Sequence, residues 1–414
     1  MNLSKYFKGD QTFLKNIFIT IFIGVIVNFL AYLFNIYLAR NLGSTDFGLY
    51  NAAIGIIYLV QIPAIAIQTA ITKKVAQKRD FNLEKFKIQS ILQLSVIAVV
   101  LSLIFILFGE KIAQVANIPM KYILPLSLAL FGAIVSPIPK GFLLGLEKIF
   151  TLNIILLLET ILKFALGFFA ISRGMDITIP ILANVIPALI TLVIVLPFLK
   201  TGSVKMPTKK INIQYKGVVL LFTTFLLLNA PFTLDLILVN PEVRASYGAL
   251  SLIGKIVYFA SITIAGVMIS RLANQKDELR KRTLIISLIF SALTGLAISA
   301  VYFFFTKEIV DIVFKGMYLE ITPYIALYGI AMTAYSVSYM AINSLLIKDS
   351  YIHIYFLLLL VAVQLILYRV HNSTLQDAFI NQIVVYSLLF IFVFFILIFY
   401  FFKKNGKPKK DIKK

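Results

Sequence analysis

Apolar runs of about twenty residues, parted by short polar stretches rich in lysine and arginine, recur along the whole chain. At about 1.5 Å rise per residue, one such run crosses the ~30 Å hydrocarbon core of a bilayer as a single helix. The pattern predicts twelve spans: 13–38, 47–71, 88–108, 122–146, 149–172, 178–199, 217–239, 247–270, 283–305, 322–347, 351–368 and 378–402. An even number of spans puts both ends of the chain on one side, and lysine and arginine decide which side that is. Segments on the side of the N-terminus hold 28 of the 39 cationic residues and the opposite connections hold 8, while the last 3 interrupt apolar runs. Cationic loops are retained inside, so the alternation predicts cytoplasmic termini and a multi-pass protein of the cell membrane.

The longest polar connection near the middle is Lys200–Lys216, with five lysines, a proline and a glycine. It is expected to join an N-terminal lobe of six spans (1–199) to a C-terminal lobe of six (217–402), with a basic tail at 403–414. An internal echo agrees with this division. At an offset of 200, Phe47-Gly48 lies over Tyr247-Gly248, each pair at the start of a second span in its half. Six is even, so the halves would be parallel repeats related by an axis along the membrane normal, with a central cavity between them. Pro63, Pro137, Pro139, Pro187 and Pro231 fall inside spans and are expected to bend them.

Composition agrees: 60% of residues are hydrophobic and 14% charged, with mean hydropathy +0.95, against about 45–50% apolar residues in soluble domains. The net charge of +21 would suggest nucleic acid in a soluble protein, but here the cations sit in loops and no nucleic-acid partner is expected. With no cysteine and only His353 and His371, neither a disulfide nor a metal centre is expected. The first apolar run lacks a small-residue cleavage pattern and is long enough to span, so it is read as the first helix. There is no phosphate loop, no pair of catalytic carboxylates and no nucleophile beside a base, so neither an enzyme nor a cofactor is expected. The longest connection facing away from the termini, Thr306–Ile321, leaves no room for an outer domain.

Against this apolar background the charges inside spans stand out. Glu159 and Lys163 lie four residues apart near the middle of Thr151–Ser172, and Lys140 and Lys255 interrupt two other runs. By helix rise, Lys163 lies about 21 Å and Lys140 about 12 Å from the cytoplasmic ends of their spans, and Lys255 about 12 Å below the outer end of its own. An ionisable group at that depth costs about 2.5 kcal/mol or more unless it faces protein or a wet cavity, which makes all three lysines candidates for a transport route. The plain alternatives are that Lys163 pairs with Glu159 and that Lys140 and Lys255 extend to an interface. Glu159 and Asp235 are candidates for ion coupling or for charge compensation. Polar stripes on two further spans, Asn28, Tyr32 and Asn35 on the first and Tyr328, Tyr335, Tyr339 and Asn343 on the tenth, are candidates for lining the cavity or for packing between helices.

Ala39-Arg40, Leu42-Gly43 and Phe47-Gly48-Leu49-Tyr50, with Leu234-Asp235 and Ser246-Tyr247-Gly248 in the second half, carry a family resemblance. The chain resembles the oligosaccharide flippases of the polysaccharide transporter family, within the multidrug/oligosaccharidyl-lipid/polysaccharide exporter superfamily. Asn240-Pro241-Glu242 departs from the family's leucine-glycine before the second aromatic-glycine pair. The resemblance implies two six-helix lobes that carry an undecaprenyl-pyrophosphate-linked oligosaccharide to the outer leaflet by alternating access. Lys163, Lys140 and Lys255 would then bind pyrophosphate, and the two stripes would contact sugar. It further implies a monomer working among membrane lipids beside a glycan polymerase and glycosyltransferases. A cation-coupled multidrug exporter of the same superfamily and an integral membrane glycan polymerase are the rival readings.

Overall fold

The computed structural model describes residues 11–76, 83–199, 215–274, 277–346 and 353–402. Residues 200–214 of the basic linker and the tail 403–414 lie outside them, as does Lys348. The described residues form helices and connecting turns, with no strand among them. The order is α1 Gln11–Asn41, α2 Ser44–Ala76, α3 Leu83–Leu107, α4 Gly109–Ala116, α5 Ile123–Val135, α6 Pro137–Gly145, α7 Ile149–Ser172, α8 Thr178–Leu182 and α9 Ile186–Phe198. The second part continues with α10 Tyr215–Leu238, α11 Arg244–Asn274, α12 Asp277–Phe304, α13 Thr306–Phe314, α14 Ile325–Leu346, α15 His353–Val370 and α16 Leu375–Phe402.

Each of the twelve expected spans coincides with one long helix or with two successive helices, and among the described residues ten segments are long and apolar enough to cross a membrane. Their exposed faces are greasy. On α3, Leu92 and Val96 stand one turn apart and are each 62% exposed, a stripe suited to lipid and not to water. The prolines act in two ways. Pro63 and Pro231 lie within α2 and α10, whereas Pro137 and Pro187 restart helices at the first positions of α6 and α9, where their missing N–H is no loss. The fourth span keeps helical dihedrals through Ser136 (φ −64°, ψ −24°) and runs on across Pro137, whereas the sixth is interrupted before α9 at Val185 (φ −125°, ψ −51°).

Two connections between spans carry helices that the sequence reading had not singled out. A short amphipathic helix follows the third span (α4) and another follows the ninth (α13). Each ends on a left-handed residue, Asn117 (φ 49°) and Lys315 (φ 54°), and each is followed by a 3-10 turn, Met120–Tyr122 and Leu319–Ile321. The same order of elements thus recurs about 200 residues apart.

The contacts divide the chain into two units. The first takes residues up to Asn229 and Thr233–Gly248, and the second takes Ala230–Phe232 and everything from Ala249. In the first, α1 packs on α7, α2 on α5 and α6, and α3 on α5. The α2–α6 crossing is close because Gly141 and Gly145, one turn apart, abut Ile71 and Val75: a Cβ on Gly145 would sit 2.5 Å from that of Val75. In the second unit α14 packs on α12 and α16. There Gly295 abuts Thr333 and Gly329 abuts Ser299, each helix offering a small residue to the other.

Candidate functional site

In the first unit two of the charges inside spans meet between α6 and α7, and a hydroxyl of α9 joins them. Lys140 Nζ on α6 lies 2.7 Å from Glu159 Oε2 on α7, with the two side chains 15% and 14% exposed. The other carboxylate oxygen, Oε1, accepts a hydrogen bond of 2.6 Å from the Thr191 hydroxyl on α9. Glu159 therefore joins three helices. The spacing of four had offered Lys163 as an alternative partner for it, but Lys140, nineteen residues away in sequence, holds it instead. The burial explains why the pair must be complete: an ion stripped of water at this depth is tolerable only with a counter-ion and its remaining lone pairs satisfied.

Lys163 stands one turn further along α7, its Nζ 4.8 Å from the ring centroid of Phe34 on α1. Phe34 is buried and reaches this position because Gly167, the next turn of α7, has no side chain. A Cβ there would lie 2.1 Å from Phe34 Cε2. The aromatic face attracts the ammonium, so the ring does part of the work of a counter-charge.

Of the stripe on α1, Asn28 is exposed, and the Tyr32 hydroxyl is buried without a hydrogen-bond partner among the described residues. Asn35 Oδ1 accepts a bond of 3.3 Å from the Tyr50 hydroxyl, which in turn accepts one of 3.5 Å from Asn184 Nδ2. Tyr50 and Asn184 extend the stripe onto α2 and the α8–α9 junction. The sequence reading had placed Tyr50 in a family motif and had not singled out Asn184.

Asp235 is fully buried. Its Oδ2 accepts 2.9 Å from the Tyr247 hydroxyl and its Oδ1 accepts 2.8 Å from the Leu236 amide. Arg244, counted from the sequence as a loop charge, is 1% exposed. It donates to the Val239 carbonyl through Nη2 at 3.1 Å and to the Asn117 carbonyl through Nη1 at 3.3 Å. A cation at the C-terminal carbonyls of α10 suits the helix dipole, and that preference was the available signal.

In the second unit Lys255 on α11 is 5% exposed, with Nζ 4.3 Å above the Phe232 ring. Phe232 stacks on Tyr335 at 5.5 Å and meets Tyr258 at 4.7 Å, while Tyr335 touches Tyr386 at 4.8 Å and Tyr258 touches Tyr339 at 5.4 Å. Two of the four stripe residues of α14, Tyr335 and Tyr339, thus belong to the ring cluster beside Lys255. Tyr328 packs on Gly254, and Asn343 Nδ2 donates 2.8 Å to the Tyr339 carbonyl within α14.

Comparison with known proteins gives the chain its relatives. Residues 13–240 match the family described as "polysaccharide biosynthesis protein". No curated protein matches the sequence. Among solved structures, a lipid II flippase MurJ in an inward closed conformation superposes with TM-score 0.71 at 13% identity, over 92% of this chain and 87% of that one. An inward-facing multidrug resistance transporter of the MATE family and MOP superfamily follows at TM-score 0.67 and 13% identity, over 92% and 96%. The MATE multidrug transporter DinF-BH gives 0.62 and 16% identity over 95% and 97%. At these identities the likeness is one of fold.

Proposed function

We propose a function from one premise: the chain belongs to the polysaccharide biosynthesis protein family, which matches more than half of its length. It is a membrane transporter with the two-lobed helical fold of the flippases and exporters it superposes on. Its substrate is a lipid-linked oligosaccharide, undecaprenyl-pyrophosphate at the lipid end, carried from the cytoplasmic to the outer leaflet of the cell membrane while the lipid tail stays in the bilayer. Alternating access of the 1–199 and 217–402 lobes exposes the head group first to one side and then to the other. Both termini are cytoplasmic, the transporter works as a monomer, and glycosyltransferases and a glycan polymerase act before and after it.

The observation that carries this reading is the largely buried Lys140–Glu159–Thr191 site with Lys163 one turn along the same helix. A pyrophosphate carries about two negative charges through a medium in which a bare anion is costly, and cations held at that depth offset the loss of hydration. In the second unit Lys255 is a separate candidate for an anionic group, and the polar stripes of α1 and α14 are the candidate sugar contacts. Asp235, held by hydrogen bonds from the Tyr247 hydroxyl and the Leu236 amide, has a structural part.

Reconstitution of the purified chain in liposomes with a fluorescent undecaprenyl-pyrophosphate oligosaccharide tests the proposal. Flipping is read as loss of protection from a membrane-impermeant quencher, and Lys163→Gln should abolish it while the protein remains inserted. Flipping no faster than in protein-free liposomes would overturn the reading. The superposition on MATE transporters favours a second reading, cation-coupled drug export, and ion-driven dye efflux from the same vesicles without sugar-lipid flipping would establish it instead.

A further inference from the structure

Lys140 is already occupied. Its ammonium lies 2.7 Å from Glu159 Oε2, and the opposite carboxylate oxygen is held at 2.6 Å by Thr191. A substrate phosphate arriving here does not meet a bare cation but a complete ion pair, and it must take the place of the carboxylate. The displaced carboxylate does not have to become a buried lone charge. Lys163 lies one turn along α7, about 6 Å by helix rise and on the same face. Its ammonium rests over the Phe34 ring at 4.8 Å, a contact that leaves the donors on its other side available to a carboxylate.

We propose that Glu159 is a built-in competitor for the anionic head group. Resting on the flippase reading above, the inference assigns it a definite exchange: phosphate replaces Glu159 on Lys140, Glu159 turns to Lys163, and the carboxylate's return to Lys140 expels the phosphate. No bond is made or broken in the exchange and no proton need move. Its consequence is moderate affinity. A transported anion must bind well enough to enter and weakly enough to leave, and two deep lysines without an internal rival would hold a pyrophosphate too long. The carboxylate lowers affinity and speeds release.

The probe is inorganic pyrophosphate, titrated into the purified full chain by calorimetry, in parallel with the liposome flipping assay. Glu159→Gln keeps an oxygen for Thr191 and removes the rival charge. It should bind pyrophosphate at least about tenfold more tightly, a change of about 1.4 kcal/mol, and should flip the sugar-lipid more slowly. Glu159→Asp, with a shorter arm that cannot reach both Lys140 and Thr191, should show a smaller gain of the same sign and serves if the glutamine variant fails to fold. Lys140→Gln should weaken binding about tenfold or more. Unchanged or weaker binding by both Glu159 variants overturns the inference and leaves the function standing. So does an unsubstituted chain that flips the sugar-lipid but binds no pyrophosphate. If it neither binds nor flips, the flippase reading falls and the inference with it.

Discussion

Each unit keeps a largely buried lysine on a long apolar segment, and the two do so by different chemistry. In the first, Lys140 meets a carboxylate at 2.7 Å, and that carboxylate has a second partner on a third helix. In the second, Lys255 lies 4.3 Å over Phe232, at the edge of a cluster formed by Tyr258, Tyr335, Tyr339 and Tyr386. A carboxylate is a ligand that another anion can replace; the face of a ring is not. The first arrangement suits a site that must be emptied and refilled, and the second suits a cation held in place through the cycle. Lys163 combines the two, since it rests on Phe34 yet lies within a turn of Glu159.

The hardest way to break this comparison is to remove one ion. Lys140→Met leaves Glu159 largely buried without its counter-ion, and such a loss costs about 3–5 kcal/mol. The thermal midpoint of the purified protein in detergent should fall steeply. The double variant Lys140→Met/Glu159→Met should recover most of that loss, because replacing a buried pair with apolar groups of similar size is close to neutral or better. Equal damage in the single and double variants would mean that the pair is not what joins α6 to α7.

How the pair forms was the part least legible in the sequence. The spans themselves were plain, because a run long enough to cross a bilayer needs no tertiary information. The depth of Lys140, Lys163 and Lys255 followed from the same counting. Partner choice did not: spacing along one helix ranks Lys163 as the partner of Glu159, whereas the α6–α7 crossing brings Lys140 to it. Pro137 and Pro187 both signalled bends, and only the fold shows that the backbone stays helical before Pro137 but leaves the helical region at Val185, just before α9. Asn184 escaped notice because its role depends on Tyr50, 134 residues away, while Arg244, counted as a loop charge, had only the preference for cations at helix C-termini to mark it. The short helices α4 and α13 were legible in principle, since each has an amphipathic period, but they are too short to stand out from a connection.

A middle-sized effect is expected where a glycine admits the ring under Lys163. Gly167→Ala brings a Cβ to 2.1 Å from Phe34, and overpacking of this kind costs about 1–3 kcal/mol. Because the ring must move, flipping should slow as well as the midpoint fall. In the second unit Gly254→Ala meets Tyr328 at 2.2 Å and should cost a similar amount in stability. Phe232→Leu should be milder, losing the cation–π contact with Lys255, about 0.5–2 kcal/mol of stability read as a lower thermal midpoint, with Phe232→Tyr restoring it. A leucine variant as stable as the parent would remove the ring's claim to hold Lys255.

The smallest expected effect carries the same contrast to the helix ends. In the first unit Asp176 accepts hydrogen bonds from the Thr178 amide and the Tyr122 hydroxyl and is ion-paired with Lys121. In the second, Asp377 accepts from the Ser373 and Thr374 amides and returns its own amide to the Thr374 hydroxyl, a capping box at the start of α16. Partial burial would raise the pKa of Asp176, but Lys121, Thr178 and Tyr122 outweigh it and hold it down at about 2. A depressed carboxylate stabilises the fold above its unfolded pKa and loses that contribution as pH falls toward the folded one. For Asp176 the loss should therefore run from about pH 4 down to about pH 2. Asp176→Asn should flatten that part of the acid limb, and added salt should shrink the difference between variant and parent, because the exposed pair with Lys121 is screened. Asp377→Asn should respond less to salt, since its principal partners are backbone amides of its own turn. Equal salt sensitivity at the two positions would erase the distinction between a charge held by a counter-charge and one held by the backbone.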